Sequence, residues 1–240
     1  MSASAKTVGV MGGLGPAATC DFFARLLHAS AAKRDQDHLH VLIDCDPRIA
    51  DRNEAIAGRG PSPGPALVAM ARGLERAGAD FLVLACNAAH HWERDIRAAV
   101  GIPFVSMIES TADAATARAP KRVGILAADA CLRADLYGRA LSARGVESLV
   151  LDGARQARFM ELLYRIKSGD RSDSLRVEMR GLASSLADRG AELIVAACTE
   201  VPLVLREDDL PLAWVSSTDA LVERAIAFAR GELQPTRKPT

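Results

Sequence analysis

The chain writes one short pattern twice. "GADFLVLAC" from Gly78 and "GAELIVAAC" from Gly190 share a Gly-Ala-acid opening, an apolar run of strand length and a terminal cysteine. The cysteines, Cys86 and Cys198, are 112 residues apart, and so are the two glycines. Two more pairs keep the same order: "KTVGVMGG" is answered by "KRVGILAA" from Lys121, and "IPFVSMIESTADAA" by "LAWVSSTDALVERA". Three matched segments in one order indicate an internal duplication. A duplicated chain builds two similar units, and here each unit ends an equivalent strand on a thiol.

Between these landmarks, short continuous apolar runs alternate with helical stretches of ten to fifteen residues, the pattern of parallel sheets covered on both faces. The expected fold class is α/β, with two pseudo-symmetric lobes. The first spans residues 1–117 and the second 118–215, with the break near Arg118–Lys121. The final helix, within 216–232, is expected to return to the first lobe, and the tail "GELQPTRKPT" to fray. Ligands bind beyond the carboxyl ends of parallel strands. Two lobes facing one another would therefore hold Cys86 and Cys198 on opposite sides of an interlobe cleft.

Composition removes several function classes. Thirty Lys and Arg balance thirty Asp and Glu, so no net field attracts nucleic acid or an anionic membrane. No apolar run approaches the roughly 18–20 residues that span a bilayer. The opening "MSASAKTVGVMGG" has no long apolar segment of the signal-peptide kind. Five cysteines, an odd number with no C-x-x-C pair, read as reduced thiols of a cytoplasmic protein.

A cysteine at a strand end, taken alone, is most often a buried space-filler. The matched repeat sets Cys86 and Cys198 apart from Cys20 and Cys45, which read as core or near-surface residues. Opposed thiols suit inversion at a tetrahedral carbon, one removing a proton and the other delivering one to the far face. A helix starting after each cysteine is expected to lower its pKa. The rival reading is a metal site built from Cys86, His90 and His91, which Cys198 could join. It is disfavoured because neighbouring residues on a helix point about 100° apart. "GGLGP" lacks the G-x-G-x-x-G spacing of a dinucleotide loop and reads as a tight turn close to a small substrate, with Pro16 opening the helix.

"GVMGGLGPAAT" resembles the N-terminal signature of aspartate racemases, in the cofactor-independent Asp/Glu racemase superfamily. "AKRDQDH", "IADRNEAI", "ACNAAH", "IPFVSMIE" and "RGAELIVAACTEV" extend that resemblance over nearly the whole chain. It implies two Rossmann-like lobes with the active site between them, commonly in a homodimer, and catalysis with neither metal nor pyridoxal phosphate. It further implies that Cys86 and Cys198 are the acid/base pair and that Arg52 and Lys167 hold the substrate's carboxylates. Asn87 and Thr199 would hold its α-carboxylate and amino groups. Asp51 could orient the Arg52 guanidinium.

Departures from the family pattern bear on the substrate. Ala88 stands where the family usually has a threonine, and Ala197 where it has glycine. "LAADACLRADLY" replaces a Thr-Gly-Thr turn, bringing in Cys131 and Arg133. Met11-Gly12 lacks the acidic residue and serine usual in glutamate racemases. Aspartate is the default substrate, with glutamate or a broader set of amino acids open. A decarboxylase or cis–trans isomerase reading and a catalytically silent binding protein are the alternatives in reaction and in class.

Overall fold

A computed structural model describes residues 5–233; residues 1–4 and the part of the tail from 234 onward lie outside the described residues. The first half runs β1 (Val8–Gly12), α1 (Pro16–Ala29), β2 (Val41–Cys45), α2 (Arg52–Ile56) and α3 (Gly64–Arg76). It continues through β3 (Phe81–Leu84), α4 (Glu93–Ala99), β4 (Phe104–Val105) and α5 (Met107–Thr116). The second half runs β5 (Arg122–Ala127), α6 (Asp129–Arg133), α7 (Leu136–Ser142), β6 (Glu147–Val150) and α8 (Gly153–Lys167). It ends with α9 (Asp173–Asp188), β7 (Leu193–Ala197), β8 (Ala213–Ser216) and α10 (Ser217–Ala229).

Each half forms a four-stranded parallel sheet, ordered β2-β1-β3-β4 and β6-β5-β7-β8. The two orders are the same, as a duplication requires. In each sheet the two central strands are buried on both faces, so alternate residues feed different cores. Phe81 and Val83 join Val8 and Val10 under α1, whereas Leu82 and Leu84 join Met11 under α3 and α4. In the second sheet Leu193 and Val195 pack with α7, and Ile194 and Ala196 with α8 and α9. Complete burial of a side chain such as Phe22 or Phe81 stabilises the fold by about 1.5–3 kcal/mol.

The helices that follow the last strand of each half cross over. α10 buries Leu221, Val222, Ala225 and Ile226 against Val8, Val10 and Phe81 of the first sheet. α5 makes the mirror move, burying Ile108, Ala112 and Ala115 with Val123, Ile125 and Val195 of the second. Each sheet thus has one face covered jointly by a helix of its own half and a helix of the other. This exchange ties the lobes together and fixes how their strand ends meet.

The turn after β1 is a backbone device. Gly13 has φ +90°, and a Cβ there would lie 2.5 Å from the Asp46 backbone, so only glycine fits. Thr19, from the first turn of α1, accepts the Gly13 N–H at 2.9 Å. Pro16 occupies the first turn of α1, where its missing N–H costs nothing.

Candidate active site

Cys86 follows β3 by two residues, and a histidine clamp holds its backbone. The Met107 N–H donates to His90 Nε2 at 3.0 Å, so that nitrogen is unprotonated. The proton therefore sits on Nδ1, which donates to the Cys86 carbonyl at 2.8 Å. Burial pushes the His90 pKa down, keeping the ring neutral. Both ring nitrogens are occupied by backbone, and His91 is exposed, edge-on to Trp92. Among the described residues no cluster of three or more His, Cys, Asp or Glu could hold a metal ion. His90 is a brace that ties the first thiol's loop to the start of α5.

The clamp makes a pH prediction. A histidine whose folded pKa is depressed contributes stability that is complete above the unfolded value of about 6.5 and is lost as pH falls through the folded value. Wild type is therefore expected to lose thermal stability below about pH 6.5 more steeply than His90→Gln, which cannot titrate. Melting curves between roughly pH 4.5 and 7 check this. Parallel slopes for the two proteins would show that the clamp does not titrate.

Cys198, directly after β7, has a different environment. Its thiol donates to Glu200 Oε2 at 3.1 Å, and the Thr199 hydroxyl donates to the same oxygen at 3.3 Å. Glu200 Oε1 pairs with Lys167 Nζ, reaching over from the C-terminal turn of α8. Burial pushes the Cys198 thiol well above its ordinary pKa; the Glu200 carboxylate adds to that rise, and Lys167 opposes it. The expectation of a helix N-terminus lowering this thiol's pKa is corrected. Only a short 3-10 turn, Val201–Leu203, follows Cys198, and desolvation outweighs it. The segment after Cys86 is likewise a 3-10 turn, Ala88–Trp92, before α4 begins.

Lys167 connects the two halves of the site. Burial alone would lower its pKa, but the charges of Glu200, Cys198 and Cys86 together raise it. The ammonium is thus within electrostatic reach of both thiols. It also lines a cavity of about 430 Å3 together with Gly13, Gly15, Ile49, Arg52 and Glu200. A Cβ on Gly15 would lie 3.1 Å from Glu200 Oε1 and 3.6 Å from Lys167 Nζ, so glycine keeps that wall thin. Neither cysteine is part of the lining; they are 6% and 8% exposed, and Cys198 is one carboxylate away from it. A larger groove of about 1000 Å3, along Arg25, Arg118, Arg206 and Glu223, contains none of the cysteines, Arg52 or Lys167. The smaller cavity is the candidate site.

Arg52 is not a solvated surface charge. Its guanidinium donates to the carbonyls of Leu14 at 2.8 Å, Ala50 at 3.1 Å and Ile49 at 3.5 Å. These carbonyls anchor the guanidinium at the wall of the cavity. Asp51 does not orient it. The Asp51 carboxylate caps α2 instead, accepting the N–H groups of Asn53 at 2.7 Å and Glu54 at 3.0 Å. Asn53 then reaches the second lobe, accepting the Ala130 N–H at 2.9 Å and donating to Tyr164 at 3.4 Å. One residue of "DRN" starts the helix, one faces the cavity and one latches the lobes.

Asn87 is buried with its carboxamide held from both ends. The Tyr137 hydroxyl donates to Oδ1 at 2.5 Å, and Nδ2 donates to the Ser217 hydroxyl at 2.9 Å. Ala88 is 8% exposed and packs with Cys86, Ile49 and Trp92. Ala197 does not face a ligand: it is fully buried among Val195, Ile125 and the inner side of α5. Cys131 belongs to that same core, where burial raises its pKa, and Arg133 is exposed. Cys20 and Cys45 are exposed, and all five thiols are free.

Two residues with a hold on the thiol loops went unnoticed in the sequence. Glu200 was visible, since a carboxylate two residues after a repeated cysteine has no counterpart after Cys86, where Ala88 stands. Tyr137 gave no local signal, because it reaches Asn87 only through the fold.

The chain is similar to several known proteins. The Picrophilus torridus aspartate racemase structure superposes with a TM-score of 0.85 at 28% identity, covering 93% of this chain and 94% of that one. The broad specificity amino-acid racemase RacX of Bacillus subtilis (strain 168) is 24% identical over 92% of this chain and 96% of its own. A Francisella tularensis glutamate racemase in complex with D-glutamate shares the fold at a TM-score of 0.69 and 14% identity, over 98% of this chain and 85% of that one. No described helix is long and apolar enough to cross a membrane. The family model described as Asp/Glu/Hydantoin racemase matches residues 11–225, and the chain belongs to that family of isomerases.

Proposed function

We propose that the protein is a cofactor-independent amino-acid racemase that inverts Cα by a two-base mechanism with Cys86 and Cys198. The thiolate of one cysteine takes the α-proton, breaking Cα–H and forming S–H. The thiol of the other gives its proton to the opposite face, re-forming Cα–H with inverted configuration and leaving a thiolate behind. Arg52 and Lys167 hold carboxylates, and Asn87 and Thr199 hold the groups on Cα. Donors fixed in advance by the fold would stabilise the carbanionic transition state without reorganising. The protein works as a cytoplasmic homodimer in this reading.

The observation that supports this most is the one ammonium, Lys167, in electrostatic reach of two thiols that end equivalent strands. Arg52 and Lys167 on one cavity, beside an Arg48 that is paired with Asp46, suit a dicarboxylate, and aspartate is the first substrate to test. Ala88, which offers no hydroxyl, and the likeness to a broad-specificity racemase favour a wider range as the second reading.

The test is incubation with a panel of single enantiomers in D2O, followed by chiral chromatography and mass spectrometry. Aspartate is expected to racemise with one deuterium gained at Cα, without added metal or pyridoxal phosphate. Racemisation of several uncharged amino acids at similar rates would replace aspartate with the broader reading. Absence of Cα exchange across the panel would sink the racemase assignment.

A further inference from the structure

The candidate site rests on a buried polar knot that no part of the proton transfer uses. Tyr137 on α7, Asn87 after Cys86, Thr111 on α5, and Ser217 and Thr218 at the start of α10 are all at most 3% exposed. Tyr137 donates to Asn87 Oδ1 at 2.5 Å, and Asn87 Nδ2 donates to Ser217 Oγ at 2.9 Å. The Thr111 hydroxyl donates to the Met107 carbonyl at 2.6 Å, closing the α5 side of the knot. Next to Ser217, the Thr218 hydroxyl finds no partner among the described residues, an uncommon cost in a core. A chain that wanted only packing here would use apolar side chains, as the neighbouring positions Leu141, Val195 and Leu221 do.

The knot sits where the crossing helices meet. α7 and α5 cover the second sheet, α10 covers the first, and Asn87 belongs to the first thiol's loop. A carboxamide can rotate by half a turn with little change in shape, exchanging its donor and acceptor ends. Here the Tyr137 hydroxyl donates to Oδ1 and the Ser217 hydroxyl accepts from Nδ2; each hydroxyl can also take the opposite role, so what the pair fixes is the place of the carboxamide between α7 and α10. Burial raises the Tyr137 pKa well above its usual value, so the phenol keeps its proton and remains a donor.

We propose that Tyr137 is a positioning residue that acts through Asn87, locking the carboxamide in place beside the first thiol for its contact with a group on the substrate's Cα. This rests on the reading of Asn87 as a substrate-binding residue in a racemase. Because the tyrosine comes from the second lobe and the asparagine from the first, the lock forms only when the lobes are in register.

A double-mutant cycle tests it. Tyr137→Phe keeps the ring and removes only the hydroxyl, and is expected to lower kcat/KM about 5- to 150-fold, the range for leaving one buried acceptor unsatisfied. The fall must be equal for the two enantiomers, since their equilibrium constant is one. In an Asn87→Ala background the same change is expected to cost less than about twofold, because residues acting as a unit are not additive. An undiminished loss in that background, or no loss in wild type, overturns the proposal. A second readout needs no turnover: the Asn87 side-chain amide protons, assigned by their absence in Asn87→Ala, should be protected from exchange in wild type and lose protection in Tyr137→Phe. Unchanged protection also overturns it. If wild type exchanges no α-proton but the amide still loses protection, the racemase reading has failed and the lock stands.

Discussion

Serine in place of either Cys86 or Cys198 is expected to lower racemisation by about 1000-fold or more while leaving each protein one working thiol. General acid–base groups contribute roughly 100- to 10000-fold, and a serine hydroxyl is far too weak an acid to replace a thiol near neutral pH. The substitution is nearly isosteric, and both side chains are buried, so the fold should survive it. More telling is what each variant still does. With one base left, the enzyme can take the proton from the enantiomer that faces that base and return a deuteron to the same face. Cys86→Ser and Cys198→Ser should therefore each exchange Cα hydrogen without inversion, on opposite enantiomers. The measurement is deuterium incorporation into separate L and D substrates. If both variants exchanged the same enantiomer, or either racemised at the wild-type rate, the two-base model would be untenable.

The unequal surroundings of the two thiols explain why that experiment is worth doing in both directions. Cys86 is held by its backbone, through His90, and among the described residues no carboxylate is bonded to its sulfur. Cys198 is bonded through its sulfur to Glu200, and Lys167 stands behind that carboxylate. The duplication supplied equivalent strand ends, but the residues that load them with charge differ.

That contrast also sets the limit of what the chain reveals before folding. The paired "GA-acid…C" strands, at a constant offset, made the two sheets and the two thiols legible, because strand identity and burial on both faces are local properties of a short apolar run. The turn at Gly13 was legible for the same reason, since only glycine takes that backbone angle against Asp46. The crossing of α5 was not, because its apolar face fits either sheet and the choice is made by the twist of the assembled lobes. Asp51 was misread since an acidic residue beside an arginine suggests a pair, whereas its place just before α2 makes the backbone N–H groups the nearer partners. The pKa of Cys198 went the other way from expectation because the length of the following helix and the depth of burial are both consequences of tertiary packing. Partners far apart in the chain, Tyr137 with Asn87 and Lys167 with Glu200, have no signature in either segment alone.

The charged pair behind Cys198 gives the second large effect, and its sign can be worked out for both members. Lys167→Met removes a cation that draws the thiol's pKa down and takes the paired ammonium from a 4% exposed carboxylate. Removing one partner of a buried pair typically costs about 3–5 kcal/mol; Lys167, whose side chain is 25% exposed, should fall below that range, near about 2 kcal/mol. Loss of a charge-assisted contact to the substrate, about 1.5–3 kcal/mol, corresponds to a fall in kcat/KM of roughly 10- to 150-fold. The pH profile separates charge from packing. Without Lys167 the Cys198 thiol ionises at higher pH, so the rising limb of kcat/KM should move upward. Glu200→Gln removes a charge that raises the same thiol, so its limb should move downward. Stability follows the same linkage. Because the folded thiol binds its proton more tightly than the unfolded one, its contribution is complete below about pH 8.5 and is lost as pH rises through the folded value. Wild type should accordingly melt at lower temperature above about pH 8.5 than at neutrality. Profiles of Lys167→Met and Glu200→Gln recorded side by side decide the matter: limbs that shift in the same direction, or do not shift, would mean that Cys198 does not titrate in the rate-determining protonic step.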